Sequence, residues 1–253
     1  MPSRRRTAVL TVVIAALSLA LASPVEAASP VVPLPVPGTA APVVGSMQHL
    51  PGLNVPSYYV AGSGPAKAIT SFHDSGAYAQ EQAAVIKQAA GWMTNWVRHD
   101  CSSGCRPAAV FDLDDTTWSW YPIYAANGFA PTSAETGPAI TGCLTPLIDP
   151  VVRMIRRAQA LHVTVFFITG RSPGDRDATL NCLAHFGLPT DHLITKAAGE
   201  GSLTSVQFKG AARAMVERQG WTIGPSVGDQ LSDVTGGHFL AGFVLPNPLY
   251  YVP

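Results

Sequence analysis

The feature that most constrains this chain is an alternation in which short apolar runs are separated by segments of helical periodicity. The first run, Ala108-Ala109-Val110-Phe111, is bounded by Pro107 and an acidic cluster. A second spans Val163 to Ile168 and ends at Thr169-Gly170-Arg171, and a weaker third lies around Leu193 to Thr195. A fourth ends near Val227, and Gly242 to Leu245 makes a late fifth. Short apolar runs with abrupt ends suit strands buried on both faces. Between them, Val151 to Leu161, Asp175 to Phe186 and Lys209 to Gln219 repeat apolar residues at helical spacing. This order predicts βαβ units and a mostly parallel sheet with helices on both faces. A further helix is predicted from about Ser75 to His99, with Val85, Ile86, Ala89, Trp92, Met93 and Trp96 on its packed face.

The N-terminal part of the 253 residues follows another pattern. Arg4, Arg5 and Arg6 precede an apolar run from Ala8 to Ala22 and a small-residue site at Val25-Glu26-Ala27, which reads as an export signal cleaved after Ala27. That run is shorter than the roughly 20 residues of a spanning helix, which weighs against an uncleaved anchor. The arginines leave a twin-arginine route open. Residues 28–65, rich in Pro, Val, Ala and Gly without periodicity, read as a tail or linker, leaving 66–253 as one α/β domain. No later segment is long and apolar enough to cross a bilayer, so a secreted, soluble protein with no membrane partner is expected.

Sixteen basic and sixteen acidic residues balance, so nothing suggests a nucleic-acid partner. Four cysteines in an exported chain favour two disulfides. Three pairings are possible; Cys101 and Cys105 are close enough to close a small loop, which leaves Cys143 with Cys182. A zinc site would need a second closely spaced Cys or His pair beside Cys101 and Cys105, and the sequence has none there. The sequence leaves the oligomeric state open.

Ligands of parallel sheets bind beyond the carboxyl ends of the strands, and there this chain is polar. Asp112-Leu113-Asp114-Asp115-Thr116 follows the first strand, Thr169 the second, and Gly228-Asp229, with Asp233 beyond, the fourth; Lys209 opens the helix between. Alternate residues of an extended segment point the same way, so Asp112 and Asp114 share the crevice while Leu113 turns into the fold. Asp112, Asp229 and Asp233 would form a dense negative cluster that needs a cation, and carboxylate oxygens without nearby His or Cys suit Mg²⁺ better than Zn²⁺. Thr169 and Lys209 offer a hydroxyl and a positive charge to phosphate oxygens.

This set resembles the four motifs of the haloacid dehalogenase superfamily, and within it the secreted acid phosphatases of the plant vegetative storage protein and class B type. Val110-Phe111-Asp112-Leu113-Asp114-Asp115-Thr116 is similar to the first motif and Phe167-Ile168-Thr169-Gly170-Arg171 to the second. Lys209 matches the third, and Gly228-Asp229-Gln230-Leu231-Ser232-Asp233 the fourth. The ending Leu245-Pro246-Asn247-Pro248-Leu249-Tyr250-Tyr251 also resembles that subfamily's, without an obvious catalytic role. Asp115 departs from it, standing where the subfamily often has Glu, and Cys101, Cys105 and the Pro-rich tail look like local additions.

The resemblance implies a Rossmann-like α/β fold with a small cap insertion after the first catalytic strand, and a Mg²⁺-dependent acid phosphatase acting on small phosphate monoesters. Asp112 would be the nucleophile; Asp114 would act as general acid and then base, its pKa raised by its neighbours. Mg²⁺ would be held by Asp112, Asp229, the main-chain carbonyl of Asp114 and Asp233, and the phosphoryl group by Thr169, Gly170 and Lys209. The second Asp argues against a dehalogenase, and Leu113 against the ATPase signature, which carries Lys there. A Gly-x-Gly-x-x-Gly is missing after the first strand, against a dinucleotide site. Phosphotransfer and a non-catalytic storage or binding role are the remaining alternatives. Trp118, Trp120, Tyr121, Tyr124 and Arg171 are candidates for a substrate pocket, the aromatics either as a wall for a nucleoside or aryl group or as core packing.

Overall fold

The computed structural model describes residues 43–44, 64–101 and 104–252. The export signal expected at 1–27 and almost all of the 28–65 tail lie outside the described residues. In chain order come strand β1 (Val43–Val44), helices α1 (Gly64–Asp74) and α2 (Ala77–His99), and strand β2 (Pro107–Phe111). A small insertion holds α3 (Tyr121–Ala126) and α4 (Ser133–Thr141). Then follow α5 (Asp149–Ala160), β3 (Thr164–Ile168), α6 (Arg176–His185), β4 (Leu193–Ile194), α7 (Ser205–Arg218), β5 (Thr222–Gly228) and β6 (Ala241–Val244).

The strands form one sheet in the order β1-β6-β5-β2-β3-β4, every neighbouring pair parallel. From the central β2 the chain steps outward through β3 to β4, then crosses back to β5 on the other side. That reversal opens a crevice at the carboxyl end of β2, where doubly wound sheets bind ligands. Strands β2 and β3 each feed two layers. Ala109 and Phe111 of β2 and Val165 and Phe167 of β3 join α2 and α5 in one core cluster. Ala108 and Val110, with Phe166 and Ile168, join Phe208, Ala212 and Val216 of α7 in the other. The period of two thus sorts each strand between helical layers, as expected of a sheet covered on both faces. Gly224 of β5 is required by packing, because a Cβ there would lie 2.3 Å from the Trp96 ring.

The expected helices and strands are present with shifted ends. Helix α7 starts at Ser205, so Lys209 lies in its second turn instead of opening it. Thr204 and Gln207 form a capping box whose reciprocal bonds satisfy two N-terminal amides and fix that start. Helix α1 lies outside the expected elements, and Trp92 is half-buried but packs against the core cluster, its ring centroid 6.2 Å from that of Phe243. Both expected disulfides are formed, with Cα separations of 5.4 Å for Cys101–Cys105 and 5.3 Å for Cys143–Cys182, and the second ties the insertion to α6. Among the described residues no helix is long and apolar enough to cross a membrane.

Candidate active site

The first-motif loop is held by its own backbone. Asp112 donates its N–H to Val227 O at 2.9 Å, and the Thr117 hydroxyl donates to Asp112 O at 2.7 Å. Asp115 adopts φ 51°, a left-handed conformation that Asp tolerates better than most residues. The resulting turn lets the N–H groups of Thr116, Thr117 and Trp118 all converge on Leu113 O. Leu113 is fully buried in the core while Asp112 and Asp114 line the cleft, as their alternation predicts.

Asp112, Asp229 and Asp233 are buried together, each offering a carboxylate oxygen within 4.8 Å of the others. Lys209 Nζ stands 2.5 Å from Asp233 Oδ1 and 3.1 Å from Asp112 Oδ1. The fourth-motif loop folds back so tightly that a Cβ on Gly228 would meet Asp233 Cγ at 2.0 Å, so glycine alone fits. Asp229 is the most heavily braced of the three. It accepts from the Thr116 hydroxyl at 2.8 Å on one oxygen, and from Gln230 Nε2 at 2.6 Å and Asn247 Nδ2 at 2.7 Å on the other.

Three carboxylates around one ammonium repel one another. Burial raises the pKa of Asp112 well above the ordinary range; Lys209 pulls it back while Asp233, Asp229 and Asp114 add to the rise. Burial and the Asp233 charge push Asp229 up to about 6, against Lys209, Asn247 and Gln230. Burial would lower Lys209, but Asp112 and Asp233 more than reverse it and keep the ammonium charged. Apart from the ion pair with Lys209, buried Asp112 Oδ1 has no hydrogen bond of proper geometry. An unsatisfied oxygen in an all-carboxylate set fits a hard divalent cation.

Asp114 differs from the expectation. Burial raises its pKa, but the Arg171 charge and hydrogen bonds from Arg171, Trp120 and Trp118 outweigh this and hold it below the ordinary value. Arg171 grips both oxygens, Nε to Oδ2 at 3.0 Å and NH2 to Oδ1 at 2.7 Å, and the indole N–H groups of Trp118 and Trp120 donate to Oδ1 at 3.0 and 2.5 Å. The aromatic wall is likewise corrected. Trp118, Trp120 and Tyr121 belong to the core cluster, Tyr124 packs against it, and none of the four is among the cleft-lining residues. His73 of α1 stacks on Tyr121 at 3.5 Å between ring centroids. The two tryptophans serve Asp114 from below.

The cleft, about 370 Å³, is lined by Asp112, Asp114, Thr169, Gly170, Arg171 and Lys209 as expected. It also takes in Lys196, Ser205 and Val252, which the sequence did not single out, and Gln230, Ser232 and Tyr250, which the motifs contain without an assigned role. Tyr250 and Val252 belong to the C-terminal segment. Gln230 binds that segment, accepting from Val252 N at 2.9 Å while its amide donates to Asp229. The LPNP ending therefore has a role at the site, through Asn247 on Asp229 and through the wall formed by Tyr250 and Val252.

Fold and site together define a haloacid dehalogenase-type architecture. Residues 53–253 match the family model described as HAD superfamily, subfamily IIIB (acid phosphatase), and the chain belongs to that family. It is 32% identical over 149 residues to vegetative storage protein 2 of Arabidopsis thaliana, covering 57% of this chain and 56% of the relative. It is 27% identical over 158 residues to acid phosphatase 1 of Solanum lycopersicum, covering 60% and 62%. The match thus spans less than two thirds of these relatives' own length. The fold is similar to that of the class C acid phosphatase from Bacillus anthracis, with TM-score 0.60 and 17% identity over 74% of this chain and 85% of that one.

Proposed function

We propose that this chain is an exported, Mg²⁺-dependent acid phosphatase that hydrolyses phosphate monoesters through a phosphorylated Asp112. The observation that carries this is the buried Asp112, Asp229 and Asp233 trio around Lys209, opening onto a cleft at the end of the central strand. Asp112 attacks phosphorus, the bond to the leaving oxygen breaks, and water then cleaves the aspartyl-phosphate, dividing one difficult displacement into two easier ones. Lys209 and the Thr169 hydroxyl hold the phosphoryl oxygens and offset their charge. Asp112, Asp229, Asp233 and the Asp114 carbonyl would hold Mg²⁺, which would supply positive charge to offset that of the phosphoryl group. Asp114 gives the leaving oxygen a proton and takes one from water. Arg171 and the indoles keep it ionised at rest, which suits the second duty; a phosphate dianion beside it favours protonation for the first.

The export signal at 1–27, the tail at 28–65 and the catalytic domain at 66–253 complete this reading, and two disulfides accord with an oxidising compartment. The test is turnover of a monoester panel by wild-type and Asp112→Asn protein, with and without chelation. Turnover that vanishes with Asp112→Asn or chelator and returns with Mg²⁺ supports it. Full activity of Asp112→Asn refutes the nucleophile, activity of chelated protein refutes the metal, and an inactive wild type leaves the storage role suggested by the relatives' names. Transfer of phosphate to an added alcohol would reveal phosphotransferase activity.

A further inference from the structure

We infer that the cleft selects phosphate monoesters whose leaving group carries a second anion, a carboxylate or another phosphate, and that Lys196 is the residue that reads it. This rests on the phosphatase reading. Three cations line the cleft, and two are neutralised from within. Arg171 is gripped by both oxygens of Asp114, and Lys209 lies between Asp112 and Asp233. Lys196 has no carboxylate within ion-pair distance among the described residues; its ammonium donates to Leu203 O at 3.3 Å. An ammonium carries three donors, so one carbonyl leaves two for a ligand.

Lys196 is also held in place. Its N–H donates to Arg171 O at 3.2 Å and Thr169 N–H donates to Ile194 O at 3.0 Å, so the backbone pairing of β3 with β4 continues past both strands. The lysine is thereby fixed beside the Thr169-Gly170-Arg171 turn, half-buried, with Ser205 lining the same cleft. Strand β4 lies two strands from β2, a separation of roughly 10 Å. Lys209 already serves Asp112 directly at 3.1 Å. The charge of Lys196 is thus placed for a substituent across a small leaving group, and the phosphoryl group itself falls to Lys209 and Thr169.

The experiment compares kcat/KM for para-carboxyphenyl phosphate and for phenyl phosphate, which differ by one distal anion, in wild type, Lys196→Met and Lys196→Arg. The ratio of the two should fall about fivefold in Lys196→Met, as for a partly exposed charge contact, and be kept in Lys196→Arg. An unchanged ratio overturns the inference, and an equal loss on both esters does so by moving Lys196 to the phosphoryl group. The same ratio read as equilibrium binding in an Asp112→Asn background tests Lys196 without turnover. A wild type that binds the carboxylated ester preferentially but hydrolyses neither would sink the phosphatase reading and spare the inference.

Discussion

Asp229→Asn should stabilise the metal-free protein while abolishing its activity. Asp229 is 1% exposed and shares its site with two other carboxylates, and its pKa rises from 3.8 to about 6 on folding. A group with a raised folded-state pKa contributes stability that is complete below its unfolded value and lost as pH rises through its folded one. For Asp229 that window runs from 3.8 to about 6. At about 1.36 kcal/mol per tenfold change in acidity, ionising it in the chelated protein costs about 3 kcal/mol at neutral pH. Asp112 and Asp115 are also raised, burial being the first cause of each, and act in the same direction; Asp114, lowered on balance, opposes them. Asparagine removes the buried charge and keeps the shape. Its amide can face Thr116, whose hydroxyl accepts as readily as it donates, while Gln230 and Asn247 still find an oxygen. The assay is denaturant unfolding in chelator at about pH 4 and about pH 7. The variant should gain up to about 3 kcal/mol over wild type at the higher pH and almost nothing at the lower, and Mg²⁺ should stabilise wild type alone. A chelated variant no more stable than wild type at neutral pH would refute the claim that the trio is strained without a cation.

In Asp114→Asn, an aryl phosphate with an acidic leaving group should still phosphorylate Asp112, then stall because water has lost its base; pre-steady-state kinetics should show a burst and a trapped phosphoenzyme, and equal slowing of aryl and alkyl esters without a burst would make Asp114 structural. Gly228→Ala should abolish Mg²⁺ binding, measured by calorimetry, because a Cβ at 2.0 Å from Asp233 Cγ must displace that carboxylate. Removing the Cys143–Cys182 bridge, which spans 39 residues, should cost about 4 kcal/mol in unfolding experiments by loop entropy, against about 2 for Cys101–Cys105, which spans 4.

What was legible in the sequence was whatever lies in one contiguous stretch. The strands ending at Phe111, Ile168 and Gly228 announce themselves by apolar runs that stop at polar residues, and the topology then brings Asp112, Lys209, Asp229 and Asp233 together. Relations across the sheet were not legible. Asn247 reaches Asp229 because β6 runs beside β5, and nothing local marks that asparagine as a partner. The direction faced by Trp118 and Trp120 depends on how the loop turns at Asp115, so a stretch read as a pocket wall supplies two indole donors beneath Asp114. Lys196 lay beyond a run too short to fix a strand's end. Thr204-x-x-Gln207 was a readable signal for the true start of α7, outweighed by the apolar periodicity further along.

The C-terminal segment bears on when this protein becomes competent. Asp112 follows β2, the first of the five strands that carry the core, but Asp229 is braced by Asn247, and Tyr250 and Val252 wall the cleft. Strands β2, β3 and β4 can pair and still hold no finished site until residues 245–252 dock. Docking of residues 245–252 is therefore the step that completes the cleft, in whatever order the rest of the sheet assembles.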